Sequence, residues 1–180
     1  MAKKGTIVIG VTGSVAAYRA CEIISALKRE SFDVQAVLTA DGSRFITELT
    51  LQALTGNKVM ADMFKSPEEW DPMHISVADR ALSILIAPAT ANIIGKLACG
   101  ICDDLLTCVV CATRAPVLIA PAMNDKMYNH AAVQDNIARL KKIGYKFVGP
   151  VKGRLACGSS GIGHIADTSE IVSRLKSLVR

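Results

Sequence analysis

Apolar positions along this chain come in short runs of two different periods. Thr6 to Val11 (TIVIGV) is continuous, apolar and rich in β-branched residues, the pattern of a strand covered on both faces. Asp33 to Thr39, Leu82 to Ala87, Val117 to Ala120 and Lys146 to Val148 read as further strands, with Val59 to Met63 as another short one. Between them the apolar positions recur every three or four residues. Ala16 to Arg29 reads as a helix. Ser43 can cap a second helix that runs to Leu54 and stops at Thr55-Gly56. The region from Ile93 to Thr113 reads as one helical stretch, and Ala131 to Ile143 as a helix with Gly144 as its C-cap. Residues 67–72 read as a loop, and Asp167-x-x-Glu170 has the form of a capping box opening a last helix to Val179.

Strands therefore alternate with helices from end to end. That pattern predicts an α/β fold: a single-domain open parallel sheet with helices on both faces, a Rossmann/flavodoxin-like three-layer sandwich over residues 1–180. Such sheets bind ligands outside the carboxyl ends of their strands, so the loops that follow each strand are where chemistry is expected.

Composition narrows the function classes. The chain is 51% hydrophobic, yet its longest apolar runs, such as Leu82 to Ala91, are interrupted by Ser and Pro and are too short for a bilayer core of roughly 30 Å. Met1-Ala2-Lys3-Lys4-Gly5 leads straight into a strand and lacks the apolar region of a signal peptide. A soluble, cytoplasmic protein with no membrane partner is expected. The net charge of +5 is spread along the chain and aromatics are only 4%, so no basic stripe or stacking platform for nucleic acid is visible. A small anionic ligand suits this balance better. Of the six cysteines, Cys99-x-x-Cys102 and Cys108-x-x-Cys111 are separated by five residues, closer than in a zinc ribbon. They read as buried structural thiols of an apolar helix, with neither a metal nor a disulfide expected.

Four loops carry candidate chemistry. Gly10-Val11-Thr12-Gly13-Ser14 follows the first strand; it matches neither a dinucleotide fingerprint nor a Walker loop, but a helix N-terminus beyond it suits one phosphate. Ala87-Pro88-Ala89-Thr90-Ala91-Asn92 combines small residues, which let a flat ring approach the backbone, with Thr90 and Asn92 as hydrogen-bonding groups. Ala120-Pro121-Ala122-Met123-Asn124 presents an amide for a carboxylate. Each of these is equally well read, alone, as a plain turn or helix cap. The stretch from Pro150 to Asp167 sets Gly153, Gly158, Gly161 and Gly163 around Cys157, as in a mobile flap, and Cys157 is the cysteine outside the helical apolar stretches. Of the histidines, His74 opens an amphipathic segment, while His130 and His164 lie in polar surroundings.

In their order these pieces resemble the flavin-dependent cysteine decarboxylase family. The resemblance runs from Gly10-Val11-Thr12-Gly13-Ser14-Val15-Ala16-Ala17-Tyr18 through Leu51-Gln52-Ala53-Leu54-Thr55-Gly56, His74-Ile75, Pro88-Ala89-Thr90-Ala91-Asn92, Gly95-Lys96-Leu97-Ala98 and Asp103-Asp104-Leu105-Leu106-Thr107. It continues through Pro121-Ala122-Met123-Asn124-x-x-Met127 to Ala156-Cys157-Gly158-x-x-Gly161-x-Gly163. The chain departs from the family pattern at Asp79, Arg80, Leu82-Ser83, Ile93 and Tyr128.

The resemblance implies FMN as cofactor, held by Gly13, Ser14, Val15, Thr39, Phe45, Thr90, Ala91, Asn92 and Ala122. It implies His74 as catalytic base, Asn124 as the carboxylate ligand and Cys157 as proton donor on the flap at about residues 150–167, with Met127 and Ala156 also touching substrate. The implied reaction turns 4'-phospho-N-pantothenoylcysteine into 4'-phosphopantetheine on the route to coenzyme A. It passes through a thioaldehyde that accepts the electrons released with CO2, and it is redox-neutral overall. An ordinary thiol pKa of about 8.5 keeps a Cys157 donor protonated at neutral pH. The resemblance also implies a homo-oligomer, a trimer or a dodecamer built of trimers, with the flavin at a subunit interface, and a synthetase activity on a separate chain. Two other members of the wider group fit the same motifs: a decarboxylase of a peptide's C-terminal cysteine, and a non-catalytic flavin-binding regulator.

Overall fold

The computed structural model describes residues 5–64, 73–154, 158 and 160–179. Among these, five strands form one parallel sheet: β1 (Thr6–Val11), β2 (Asp33–Leu38), β3 (Ala81–Ala89), β4 (Val117–Pro121) and β5 (Lys146–Phe147), in the order β2-β1-β3-β4-β5. The register aligns the apolar runs. Ile9 sits beside Ala36 on one side and Leu85 on the other, and Leu85 beside Leu118.

Side chains alternate across the sheet, so a strand apolar at every position serves two cores. Ile7, Ile9, Leu85 and Leu118 join α1 (Arg19–Arg29), α2 (Glu48–Thr55) and α8 (Thr168–Leu178) on one face. Val8, Ile84, Ile86 and Ile119 join α3 (Met73–Arg80), α4 (Ala91–Cys99), α5 (Leu105–Ala112) and α7 (Ala131–Lys142) on the other. The expected three-layer sandwich is what forms. No helix among the described residues is long and apolar enough to cross a membrane.

Local chemistry moves several boundaries. The first helix opens with a 3-10 turn at Val15–Tyr18, capped by Ser14, before α1 begins. The second helix is capped by Thr47, whose hydroxyl accepts the Thr50 N–H, and not by Ser43. The Ser43 hydroxyl instead donates to Ala40 O within a short 3-10 turn. Val59 to Met63 contributes a single bridge, Val37 to Met60, and no strand. The stretch from Ile93 to Thr113 is two helices. Gly100, at φ 69°, takes the left-handed conformation that ends α4, and Asp104 with Thr107 forms a complete capping box that starts α5. The box expected at Asp167 does not form; the Asp167 carboxylate reaches Arg19 instead.

The cysteines also differ from expectation. Cys99, Cys102 and Cys111 are exposed, and Cys21 and Cys108 are half-buried. The break at Gly100 puts Cys99 at the end of α4 and Cys102 in the loop beyond it. Residues on either side of Cys157 form an antiparallel hairpin, β6 (Val151–Arg154) with β7 (Ser160–His164), pairing Arg154 with Ser160. Ala156 and Cys157 themselves lie outside the described residues.

Candidate active site

The chain leaves β1 toward β2 and leaves β3 toward β4, on opposite sides. The loops after β1 and β3 therefore diverge, opening a crevice at the carboxyl edge where the strand order reverses. A cleft of about 390 Å³ lies there, a size usual for a small-molecule site. It is lined by Thr12 and Gly13 after β1, Thr39, Ala40 and Asp41 after β2, and Thr90, Ala91, Asn92 and Ile93 at the start of α4, with Lys96, Asp104 and Met127.

Short hydroxyl side chains hold these loops. Thr12, almost fully buried, donates from Oγ1 to Pro88 O at 2.7 Å and accepts the Thr90 N–H at 3.3 Å, tying the first loop to the third. Thr39 Oγ1 donates to Val11 O at 3.3 Å and accepts the Gly42 N–H at 3.1 Å, tying the second loop to the first. Thr90 caps α4 through the Ile93 N–H. Gly13 lets the first loop press against the second: a Cβ there would stand 2.5 Å from Asp41 Cβ. The cleft wall is consequently backbone and small side chains.

The lysine of the cleft wall is already paired. Lys96 Nζ lies 2.8 Å from the Asp103 carboxylate and 3.1 Å from that of Asp104. The hydrogen bond to Asp103 holds the Lys96 ammonium above its ordinary range. Burial pushes the Asp104 carboxyl up, but the Thr107 N–H, Lys96 and the Thr107 hydroxyl outweigh it and hold the group below the usual carboxylate range. With Lys96 paired to two carboxylates, an anion in this cleft would be held mainly by hydroxyls and N–H groups.

The other expected site residues lie around the cleft. Ser14 spends its hydroxyl on the Ala16 N–H, and Val15 and Phe45 are 59% and 54% exposed beside the cleft's loops. Ala122 is buried under the β3–β4 edge, its N–H donating to Ala89 O at 2.9 Å. Asn124 caps the short helix α6 (Asp125–Tyr128), its Oδ1 accepting the Lys126 N–H at 2.9 Å. Met127, on that helix, reaches the cleft. The hairpin is docked on the same segment: Met123 N–H donates to Gly163 O at 3.1 Å, and a Cβ on Gly163 would collide with Met123 O. At Gly163 the glycine is needed for close backbone approach, a different use from the mobility read in the sequence.

His74 is half-buried in the first turn of α3 and does not line the cleft of its own chain. Helix α3 ends at the amino edge of the sheet, where Arg80 lines one hollow with Thr6 and Asp33, so its first turn points back toward the carboxyl edge.

The family profile named Flavoprotein matches residues 1–180. The chain belongs to the flavoprotein family. It is 44% identical over 172 residues to the coenzyme A biosynthesis bifunctional protein CoaBC of Bacillus subtilis, covering 96% of this chain and 42% of that protein. The chain thus spans less than half the length of such curated relatives. Among solved structures it is similar to a PPC decarboxylase mutant complexed with pantothenoylaminoethenethiol, at TM-score 0.86 and 31% identity over 97% of this chain and 98% of that one. It is also similar to the FMN-dependent cysteine decarboxylase SpaF, at TM-score 0.80 and 27% identity over 96% and 98%.

Reading the sequence for a flavoprotein site overlooked Thr12, Asp41, Lys96 and Asp104 as lining residues. Lys96 and Asp104 carry a signal: Asp104-x-x-Thr107 ahead of an apolar run marks a helix start, and a helix start faces the same edge as the strand ends. Thr12 and Asp41 depend on contacts between loops 76 and 28 residues apart or more, which local pattern does not encode. The cleft suits a planar flavin. Its wall is small and backbone-rich around Gly13, Ala40 and Ala91, and it has hydroxyls for polar groups.

Proposed function

We propose that this chain is an FMN-dependent decarboxylase that converts 4'-phospho-N-pantothenoylcysteine to 4'-phosphopantetheine in coenzyme A biosynthesis, acting in the cytoplasm. The observation that carries this reading is the small-walled cleft at the β1/β3 crevice in a chain of this family. The likeness to a PPC decarboxylase and to CoaBC supports the choice of substrate.

When bound, FMN supplies a two-electron sink that takes electrons from the substrate and later returns them. The chain's own residues do the rest. Gly13, Thr39, Thr90, Ala91 and Asn92 hold the cofactor from the cleft wall, with Thr12 fixing the two loops that bear on it. Ser14, Val15, Phe45 and Ala122 complete its surroundings. Asn124 and Met127 position the substrate carboxyl end, beside the hairpin strand β7 that docks on Met123. Ala156 and Cys157, outside the described residues, serve as further substrate contacts. His74 removes the first proton, and Cys157 returns one to carbon after CO2 leaves.

Two features support a site shared between copies, as in a trimer or a dodecamer of trimers. His74 stands outside its own chain's cleft, so it serves a neighbour's. Val15, Tyr18, Phe45 and Leu49, all 54% exposed or more, lie on the segments that follow β1 and β2 and offer the apolar surface for that neighbour.

The test is CO2 release by FMN-loaded protein from phosphopantothenoylcysteine and, in parallel, from a peptide ending in cysteine. Release from the first alone is expected. Release from the peptide alone would identify a peptidyl-cysteine decarboxylase. Bound flavin with no release from either would indicate a flavin-binding regulator.

A further inference from the structure

The β6–β7 hairpin presents two faces of opposite character. In its regular part Lys152 pairs with Ile162, Gly153 with Gly161 and Arg154 with Ser160, and paired residues share a face. The face of Gly153 and Gly161 is packed. A Cβ on Gly161 would stand 2.8 Å from Asp125 Oδ2, and one on Gly153 would stand 3.1 Å from the His164 side chain. The opposite face carries Lys152, Arg154, Ser160 and Ile162, all exposed. Among the described residues neither cation makes a hydrogen bond or an ion pair. From Val148 to Ala166 the sequence has no Asp or Glu, so the hairpin holds no carboxylate of its own to pair with them. Asp125, the acid packed against the hairpin, lies on the glycine face.

This surface stands at the edge of the site. β5 runs parallel to β4, so the chain leaves it at the carboxyl edge of the sheet and enters the hairpin there. Gly163 O accepts the Met123 N–H at 3.1 Å, one residue before Asn124. Arg154 lies opposite Ser160, three residues from Gly163, or about 10 Å along the strand.

We propose that Lys152 and Arg154 bind the substrate phosphate and make the enzyme selective for the 4'-phosphorylated molecule, an assignment that rests on the decarboxylase reading above. That substrate is charged at both ends. Its carboxyl end belongs at Asn124, so its phosphate lies a molecule's length away and needs cations there. The lysine of the cleft is already committed, with Asp103 at 2.8 Å and Asp104 at 3.1 Å from Lys96 Nζ. Arg154 offers a planar fork to two phosphate oxygens, and Lys152 adds a second charge on the same side of the strand. Ser160, opposite Arg154, adds a hydroxyl donor. Next to its phosphate the substrate has a carbon bearing two methyl groups. Ile162, 39% exposed and opposite Lys152, gives them an apolar neighbour.

The test measures kcat/KM for CO2 release from phosphopantothenoylcysteine and from pantothenoylcysteine. It uses FMN-loaded wild type, Lys152→Ala, Arg154→Ala, the double variant and Arg154→Lys. Wild type should prefer the phosphorylated substrate, and the double variant should lose about tenfold of that preference, the size expected of two exposed charged contacts. The loss should lie in KM, because the phosphate is held alike before and during the reaction. Arg154→Lys should keep more of the preference than Arg154→Ala, and added salt should erode it in wild type. Calorimetric titration with 4'-phosphopantetheine and with pantetheine repeats the comparison without turnover. An equal fall for both substrates in the double variant would make the pair structural and overturn the assignment. So would an undiminished preference, or a wild type that has none. Loss of preference in Lys126→Ala or Arg44→Ala, two other exposed cations, with none in the double variant would move the phosphate site elsewhere. No release from either substrate by wild type would instead remove the decarboxylase reading, and this assignment with it.

Discussion

The two ends of the same sheet each carry a polar hollow, and they are built differently. At the amino edge, Thr6, Asp33, Gln35, Asn57 and Arg80 surround about 200 Å³. There the longer side chains bridge to one another and to the backbone: Asn57 Nδ2 donates to Asp33 Oδ1 at 3.2 Å and to Val34 O at 2.8 Å, and Gln35 Nε2 donates to Lys58 O at 2.8 Å. At the carboxyl edge, Thr12, Thr39 and Thr90 pin the loops with short hydroxyls, and glycine and alanine leave the backbone facing the cleft. Polar lining alone does not make a site. What distinguishes the carboxyl edge is that its polar side chains fix loops, and its wall stays open to a flat ligand.

The comparison can be broken by substitutions at each end. The largest effect is expected from His74→Asn, which should keep FMN yet lower turnover by about 10²- to 10⁴-fold, as removal of an acid–base group does. Loss of flavin in that variant would make His74 structural. Gly13→Val is next. Its side chain would meet Asp41, and FMN affinity measured by fluorescence titration should fall at least about tenfold, with overpacking costing about 1–3 kcal/mol in a denaturant melt. At the amino edge, Asn57→Ala should cost about 1–2 kcal/mol of stability by stranding its partners and leave FMN affinity unchanged. A change in flavin binding there would erase the distinction between the two ends.

The smallest effect is expected from Asp104→Ala, which removes a helix cap worth about 1 kcal/mol. Its pH dependence has a definite sign. The Asp104 carboxyl titrates lower in the folded chain than in the unfolded one, so its contribution is complete above the unfolded value of about 3.9. That contribution is lost as pH falls through the lower folded value. Wild type and variant should therefore differ in thermal midpoint at neutral pH and converge in acid. A gap that persists below the carboxylate range would assign the cost to packing.

The sheet was legible in the sequence because a strand covered on both faces must be nearly continuous in apolar residues, as Ile7–Val11 and Ile84–Ala87 are. The loops of the site were legible by place, since a strand's carboxyl end marks where to look. Helix ends were harder to read. Ser43 and Thr47 are both good caps, and the choice falls to Thr47 because Ser43 is drawn back to Ala40. Gly100 has the residue type of a helix stop, yet an apolar pattern on both sides of it masks the break. The glycines of 153–163 have two physical uses, flexibility and close approach. Only tertiary contact with Met123 distinguishes them at Gly163. The place of Cys102 in a loop follows from the break at Gly100 and was hidden with it.

The most direct measurement is the ratio of products to flavin over many turnovers. FMN-loaded protein should release one CO2 for each 4'-phosphopantetheine formed from phosphopantothenoylcysteine, far in excess of enzyme, with the flavin spectrum unchanged at the end. Release of CO2 that stops at one equivalent with the flavin left reduced, or no release at all, would contradict the account.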